Sequence, residues 1–328
     1  MTELSVLDFA TIPEGSSAGE ALHATAALAS HAEQLGYRRF WMAEHHAMPG
    51  IASSAVSVCL AHVGNATSTI RIGSGGIMLP NHNPFVIAEQ FGTLDALFPG
   101  RVDLGLGRAP GADRRIGQAL RKDIHGAAEA FPQDVVELRA LFAGDPRLTL
   151  QATPGAGADV EMWILGSSLF GAQLAAALGM PYAFAAHFAP AALDDALAIY
   201  RERFTPSGQC AKPHVMVAAN AFAAETEEDA FYHASSMDQS FVALRTGTPG
   251  KMPPPVRGYR ESLPPQARAM MEATRSVSAI GNRAQVRQSL ETIIKRTGAD
   301  ELILSGSSFD PRDRSRSLEI IQDACRDL

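Results

Sequence analysis

The chain has 328 residues, a hydrophobic fraction of 46% and a formal net charge of −7. That composition supplies a large core, excludes a disordered polymer, and argues against nucleic acid or an anionic membrane as the main partner. Three separated cysteines, Cys59, Cys210 and Cys325, exclude a disulfide scaffold and a cysteine-type zinc site. They suit a reducing compartment, and the opening Met1-Thr2-Glu3 lacks the basic-then-apolar pattern of a signal peptide, so a cytoplasmic location is expected.

Short apolar runs alternate with longer amphipathic ones. Leu4–Phe9 reads as a strand and Gly19–Leu35 as a helix stopped by Gly36. Arg39–Met42 is a strand, and Ser53–Ala66 a helix that Ser53 can cap. Ile70–Ser74 is a strand, followed by a helix over Pro84–Phe98 with proline in its first turn. Val102–Leu106 is a strand, then a polar stretch Arg108–His125 precedes the helix Gly126–Phe142. Arg147–Gln151 is a candidate small pairing excursion. Met162–Leu165, Tyr182–Ala185 and His214–Phe222 are strands, separated by helices over Leu169–Leu178 and Ala191–Phe204. An acidic-started helix covers Thr226–Leu244, and the Pro-, Gly- and Arg-rich Thr246–Pro265 reads as an irregular insertion. Arg283–Arg296 is a helix, Glu301–Leu304 the last strand, and Ser315–Arg326 a closing helix.

Eight strands that are apolar on both faces point to a parallel sheet covered by helices. Eight units with no linker near the middle favour a closed (β/α)8 TIM barrel over a doubly wound open sheet, as one domain spanning 1–328 with irregular insertions at the C-terminal face. Functional residues then sit just after the strands.

After the second strand stand Glu44, His45 and His46, a carboxylate and two imidazoles suited to acid–base work or metal binding. Neighbouring strand residues face opposite ways, which argues against both imidazoles sharing one ion, so no metal is expected. After the third strand, Gly73, Gly75 and Gly76 precede Met78; they mark either a turn or close approach of a flat ligand. After the fourth, Gly105-Leu106-Gly107-Arg108 is no dinucleotide fingerprint, because Pro110 stands where a third glycine is required. Arg108 reads as an anion ligand or as a surface ion pair. After the fifth, Gly166-Ser167-Ser168 opens a helix, either as ordinary capping or as an anion site that Arg108 can complete. After the sixth, His187 faces the same cavity or packs in the rim.

Glu44-His45-His46, the run Arg71 to Pro80 and Gly105 to Arg108 together resemble the luciferase-like flavin monooxygenases. Phe98-Pro99-Gly100-Arg101, Ile164 to Ser168 and the late Ile280-Gly281-Asn282 and Gly298 to Leu302 extend the resemblance over almost the whole chain. It implies an FMN site at the C-terminal face, with the flavin ring against a non-prolyl cis bond at Gly75–Gly76 and beside Met78. It implies a phosphate held by Arg108, Gly166, Ser167 and Ser168, and a catalytic imidazole at His45. Gly107 replaces the reactive thiol of the luciferase proper, and Gly166, Leu169 and Phe170 stand where its phosphate helix start carries an acid and more hydroxyls, so an altered phosphate grip and no light emission are expected.

The implied activity is monooxygenation of an aldehyde or other small organic substrate by oxygen and reduced FMN from a separate, transient flavin reductase. His45 is the expected base, Glu44 sets its tautomer or holds strand-end backbone, and His187 lines the cofactor site. Three alternatives stay open: hydride transfer with a deazaflavin, a non-catalytic flavin-binding protein, and a metal-dependent hydrolase using Glu44, His45, His46 and His187. Arg108–His125 and Thr246–Pro265 are candidate lids. The second and third helices, Ser53–Ala66 and Pro84–Phe98, are apolar over much of their surface, which fits burial under the barrel; the resemblance also implies a homodimer through this side.

Overall fold

The computed structural model describes residues 2–109, 119–120 and 124–328. Its strands are β1 (Glu3–Asp8), β2 (Arg39–Met42), β3 (Arg71–Met78), β4 (Val102–Gly107), β5 (Glu161–Gly166), β6 (Tyr182–Phe184), β7 (Val215–Ala223), β8 (Ser278–Gly281) and β9 (Glu301–Ser305). All pair in parallel. The order runs β1 to β7 and then β9, which returns to β1 and closes an eight-stranded barrel. β8 is a ninth strand that pairs only with the far end of β7, over Asn220–Ala223. The expected TIM barrel is therefore present with one strand added.

The described helices are α1 (Ala18–Leu35), α2 (Val56–Asn65), α3 (Pro84–Leu97), α4 (Ile124–Phe142), α5 (Leu169–Leu178), α6 (Leu193–Glu202), α7 (Glu227–Arg245), α8 (Tyr259–Ser262), α9 (Pro265–Thr274), α10 (Arg283–Thr297) and α11 (Pro311–Ala324). Local chemistry sets their ends. Ser17 and Glu20 form a capping box on α1, and Gly36 ends it at φ 87°. None of these helices is long and apolar enough to cross a membrane.

Four local expectations need correction. Ser53 does not cap α2; its hydroxyl donates to the carbonyls of Phe9 and Ala43 and ties β1 to β2 beyond the strand ends. The third strand does not stop at Ser74 but runs to Met78, with a register shift against β4 between Ser74 and Ile77. Arg147–Gln151 forms no strand. α9 and β8 follow the insertion and were not expected. The Pro-rich flank signalled irregular chain, yet Pro265 occupies the first helical position, where no intrahelical N–H is needed. Most of the candidate lid Arg108–His125 lies outside the described residues, whereas 246–258 is irregular as expected.

The interior of the barrel is filled by Leu7, Trp41, Ala43, Trp163, Ala183, Met216, Ala218 and Ile303. The two indoles meet edge to face at 5.4 Å. Their bulk is possible because β3 carries glycines. A Cβ on Gly73 would lie 2.7 Å from Trp41 Nε1, and one on Gly75 would lie 2.6 Å from Leu7 Cδ1. The glycines therefore remain in the strand, where they make room for these side chains, rather than forming a turn.

Below the indoles lies a buried ionic floor. Arg39 donates to Asp103 at 2.9 Å and to Glu301 at 3.1 Å, and pairs with Glu161 at 3.2 Å. Arg71 Nε donates to Asp103 at 2.8 Å, and Trp41 Nε1 to the same carboxylate at 2.9 Å. Ser5 donates to Glu301. Strands β1, β2, β3, β4, β5 and β9 each contribute to this network from near their N-terminal ends, the stability face of such a barrel. Arg39 and Asp103 are 4% and 0% exposed, so loss of one partner strands a buried charge. Asp103→Ala is expected to lower stability by ~3–5 kcal/mol in urea denaturation; a loss below ~1 kcal/mol would show that the floor does not hold the barrel.

Candidate active site

The opposite, C-terminal face gathers the residues singled out at the strand ends. After β2 the chain leaves the sheet, and Ala47 (φ 54°), in the left-handed region, turns it immediately after His46. The two neighbouring imidazoles consequently diverge. His46 turns to Glu44, with Nε2 2.5 Å from Oε1, while His45 stacks on Phe9 with ring centroids 5.8 Å apart.

Glu44 is nearly inaccessible and organises the β2–β3 rim. Its Oε1 is also 2.7 Å from His82 Nε2, and its Oε2 accepts the Met78 amide at 2.9 Å. Burial works against its ionisation, but the hydrogen bonds from His46 and His82 and the Met78 amide win and hold it down at about 2. Glu44 thus holds strand-end backbone and binds His46 and His82, rather than setting the tautomer of His45. His82 escaped the sequence reading; its only signal was an imidazole between two asparagines just before the Pro84 helix start. Glu44, His46 and His82 are the one group among the described residues whose ligand-type atoms converge, all within 4.8 Å. The four-residue metal set Glu44, His45, His46 and His187 is not brought together.

His45 and His187 form a second, less polar pair flanking Phe9, whose ring lies 6.3 Å from that of His187. Burial pushes the His45 imidazole below its ordinary value of 6.5, with Glu44 opposing. Burial and then the neighbouring His45 push His187 down to about 4. Both rings are therefore neutral near pH 7. His187 Nδ1 is buried without a hydrogen-bond partner among the described residues. Asn220, the one amide in an otherwise apolar β7, donates to the His187 carbonyl at 2.6 Å and fixes this loop.

Across the mouth, Arg108 joins the start of α5. Its guanidinium carbon sits over the Phe170 ring, 4.0 Å from the centroid. Its Nε donates to the Ala128 carbonyl at 3.1 Å. That carbonyl is available because the residue four positions on, Pro132, has no N–H to give it inside α4. Arg108 is thus oriented by two helices and has no ion-pair partner among the described residues. Ser168 is the N-cap of α5, but its side chain makes no capping bond, and neither Ser167 nor Ser168 has a hydroxyl partner among the described residues. Gly166 and Ser167 are half-buried and Ser168 is exposed. Open hydroxyls, first-turn amides and a guanidinium braced by two helices bring together the donors that an anion would need.

At the centre of the rim, Gly75–Gly76 is a cis, non-prolyl peptide, as the resemblance implied. A Cβ on Gly76 would lie 2.7 Å from the Gly105 carbonyl oxygen, so β3 and β4 approach too closely there for a side chain. The Met78 amide beside it is committed to Glu44, so Met78 offers a ligand only its side chain and carbonyl. Phe188 (47% exposed) and Leu169 (37%) leave apolar surface open at the mouth.

A family model described as luciferase-like monooxygenase matches residues 2–301. A luciferase-like monooxygenase of Escherichia coli (strain K12) is 48% identical, covering 99% of this chain and 97% of its own. N-acetyl-S-alkylcysteine monooxygenase of Bacillus subtilis (strain 168) is 36% identical over 75% of each chain. Among solved structures, apo-MsnO8 superposes with a TM-score of 0.89 at 32% identity over 99% of both chains. Two more distant structures share the fold over 99% of this chain and 98% of theirs, each at 16% identity. One is the oxygenating constituent of 3,6-diketocamphane monooxygenase from Pseudomonas putida in complex with FMN (TM-score 0.73). The other is an F420-dependent secondary alcohol dehydrogenase (TM-score 0.67). The closed barrel with one added strand, its site at the strand ends and the match over almost the whole chain lead to one assignment: the chain belongs to the luciferase-like monooxygenase family of flavin-linked oxidoreductases.

Proposed function

We propose that this chain is an FMN-dependent monooxygenase that uses reduced FMN and oxygen on an aldehyde or other small organic substrate. The observation that carries the reading is one barrel mouth holding both an anion cradle, Arg108 with Gly166, Ser167 and Ser168, and a neutral imidazole pair, His45 and His187. The cradle suits a single phosphate, and the side-chain-free surface at Gly75–Gly76 with Met78 suits a flat ring between cradle and imidazoles. The unpartnered His187 Nδ1 is free to meet a polar ring atom.

Bound reduced FMN supplies the electrons that activate oxygen. The chain supplies position and proton control. Arg108 and the α5 start anchor the phosphate end. Glu44 pins the end of β3 through the Met78 amide, and His46 and His82 keep that carboxylate ionised. His45, neutral and braced by Phe9, takes a proton on its imidazole. Phe188 and Leu169 give the mouth an apolar surface that excludes water once substrate covers it.

His45→Ala is expected to lower turnover ~100-fold or more while FMN still binds. In the unaltered enzyme the acid limb of kcat/KM falls below 6.5, because protonation removes the base and burial depresses its pKa. Unchanged turnover at saturating reduced FMN would remove His45 from the chemistry. Arg108→Ala is expected to weaken FMN by ~10-fold or more and riboflavin little, because only FMN carries the phosphate. Equal losses in fluorescence titrations would place the phosphate elsewhere. The same pair of titrations with a deazaflavin separates the hydride-transfer alternative.

A homodimer through α2 and α3 also belongs to this reading. Val58 (69% exposed), Val86 (44%) and Leu97 (58%) leave apolar side chains open on those two helices. Light scattering at micromolar concentration is expected to give twice the chain mass; a clean monomer would remove the dimer.

A further inference from the structure

A second charged group lies at the same end of the barrel, on the β7–β8 side. Asp238, in α7, is 1% exposed and receives two guanidinium groups. Arg260 Nε donates to Oδ2 at 3.1 Å, and Arg275 pairs with Oδ1. Arg275 has a side chain only 8% exposed, and Arg260 24%. No other carboxylate pairs with either arginine among the described residues. The group therefore carries one buried positive charge in excess.

The hydrogen bonding is also incomplete. Among the described residues, Arg275 Nη1 and Arg260 Nη2 are both buried without a hydrogen-bond partner, as is the hydroxyl of Ser278, three residues beyond Arg275; Asp238 Oδ1 meets Arg275 only as an ion pair. An unpaired buried donor on a charged group costs more than a hydrogen bond contributes, so such groups are normally matched. Burial pushes Arg275 down to about 10 even with Asp238 beside it.

Strand geometry locates the group. Met216 and Ala218 of β7 point into the barrel, so Asn220 and Phe222 continue that inward line towards the mouth. Arg275 Cζ is 5.9 Å from the Phe222 ring. Asn220 holds the His187 carbonyl and lies opposite Ser278 in the ladder, about 7 Å along the strand from Phe222. The paired arginines thus border the His187 side of the mouth, whereas Arg108 belongs to the β4–β5 side, with β6 between.

We infer that Arg275 and Arg260 bind the anionic head group, a carboxylate or sulfonate, of the substrate. This names the substrate class of the proposed site and rests on the reading of the barrel mouth as that site. An anion there completes the charge balance of the Arg260–Asp238–Arg275 group and takes up the two unpartnered guanidinium N–H groups. Its organic tail then runs past Phe222 towards His187 and His45.

The test uses the purified chain and three probes: hexanoate, hexanol of the same chain length, and sulfate, each titrated by calorimetry. Hexanoate is expected to bind about tenfold or more tighter than hexanol, and Arg275→Gln to abolish that preference. FMN titrated into the same variant is expected to bind as to the unaltered chain, because Arg108 holds its phosphate. Where circular dichroism shows that Arg275→Gln does not fold, Arg260→Gln, at a less buried side chain, carries the same expectation. Equal binding of hexanoate and hexanol overturns the inference, and so does full hexanoate affinity in a folded variant. Sulfate binding without hexanoate binding also overturns it, because the site then takes only a small inorganic anion. Failure of FMN to bind while hexanoate still discriminates overturns the flavin reading and leaves the anion site standing.

Discussion

A closed parallel barrel has to fill its own interior, and here two buried indoles, Trp41 and Trp163, occupy it. That choice propagates. The buried indole N–H groups need acceptors, and Asp103 and Glu161 provide them at 2.9 Å each. Those carboxylates in turn need cations, and Arg39 and Arg71 meet them. The facing strand has to give up side-chain volume, so β3 carries glycines opposite Trp41. One packing problem thus fixes the ionic floor and the glycine-rich strand together, and that strand then presents bare backbone at the mouth.

At the mouth, charge and neutrality are kept apart over a few residues. Three consecutive side chains, Glu44, His45 and His46, serve two different environments. Glu44 and His46 join His82 in a charge-assisted cluster that braces the end of β3. His45 turns instead to Phe9 and His187, where burial keeps imidazole uncharged. A left-handed Ala47 makes the divergence possible. The proposed anion cradle is oriented with comparable economy: a proline inside α4 frees a carbonyl, and Arg108 takes it.

Much of this was legible in advance. Strand positions for β1, β2, β4, β5, β6, β7 and β9 follow from short apolar runs, and the helix ends follow from capping residues and glycines. The candidate residues at the ends of β2, β3, β4, β5 and β6 follow from the barrel rule that sites lie where strands end. Less legible were α9 and β8, because proline-rich flanks mask a helix that begins on proline. Ser53 looked like a helix cap because serine in that position usually is one; it became a tie between two strand ends because two carbonyls lay within its reach.

The sequence by itself determined the alternation of elements, hence the barrel, and which chemical groups arrive at its mouth. Both are encoded within a few residues, by apolar periodicity and by the residue types that follow each strand. The tertiary structure alone decided who pairs with whom: Glu44 with His46 and His82 rather than His45, Arg39 with carboxylates on β4, β5 and β9, Arg108 with a carbonyl in α4, and Arg275 with Asp238 in α7. These partners are 2 to 262 positions apart in the chain. Their pairing depends on closure of the barrel and on the direction each side chain takes there, which no local pattern carries.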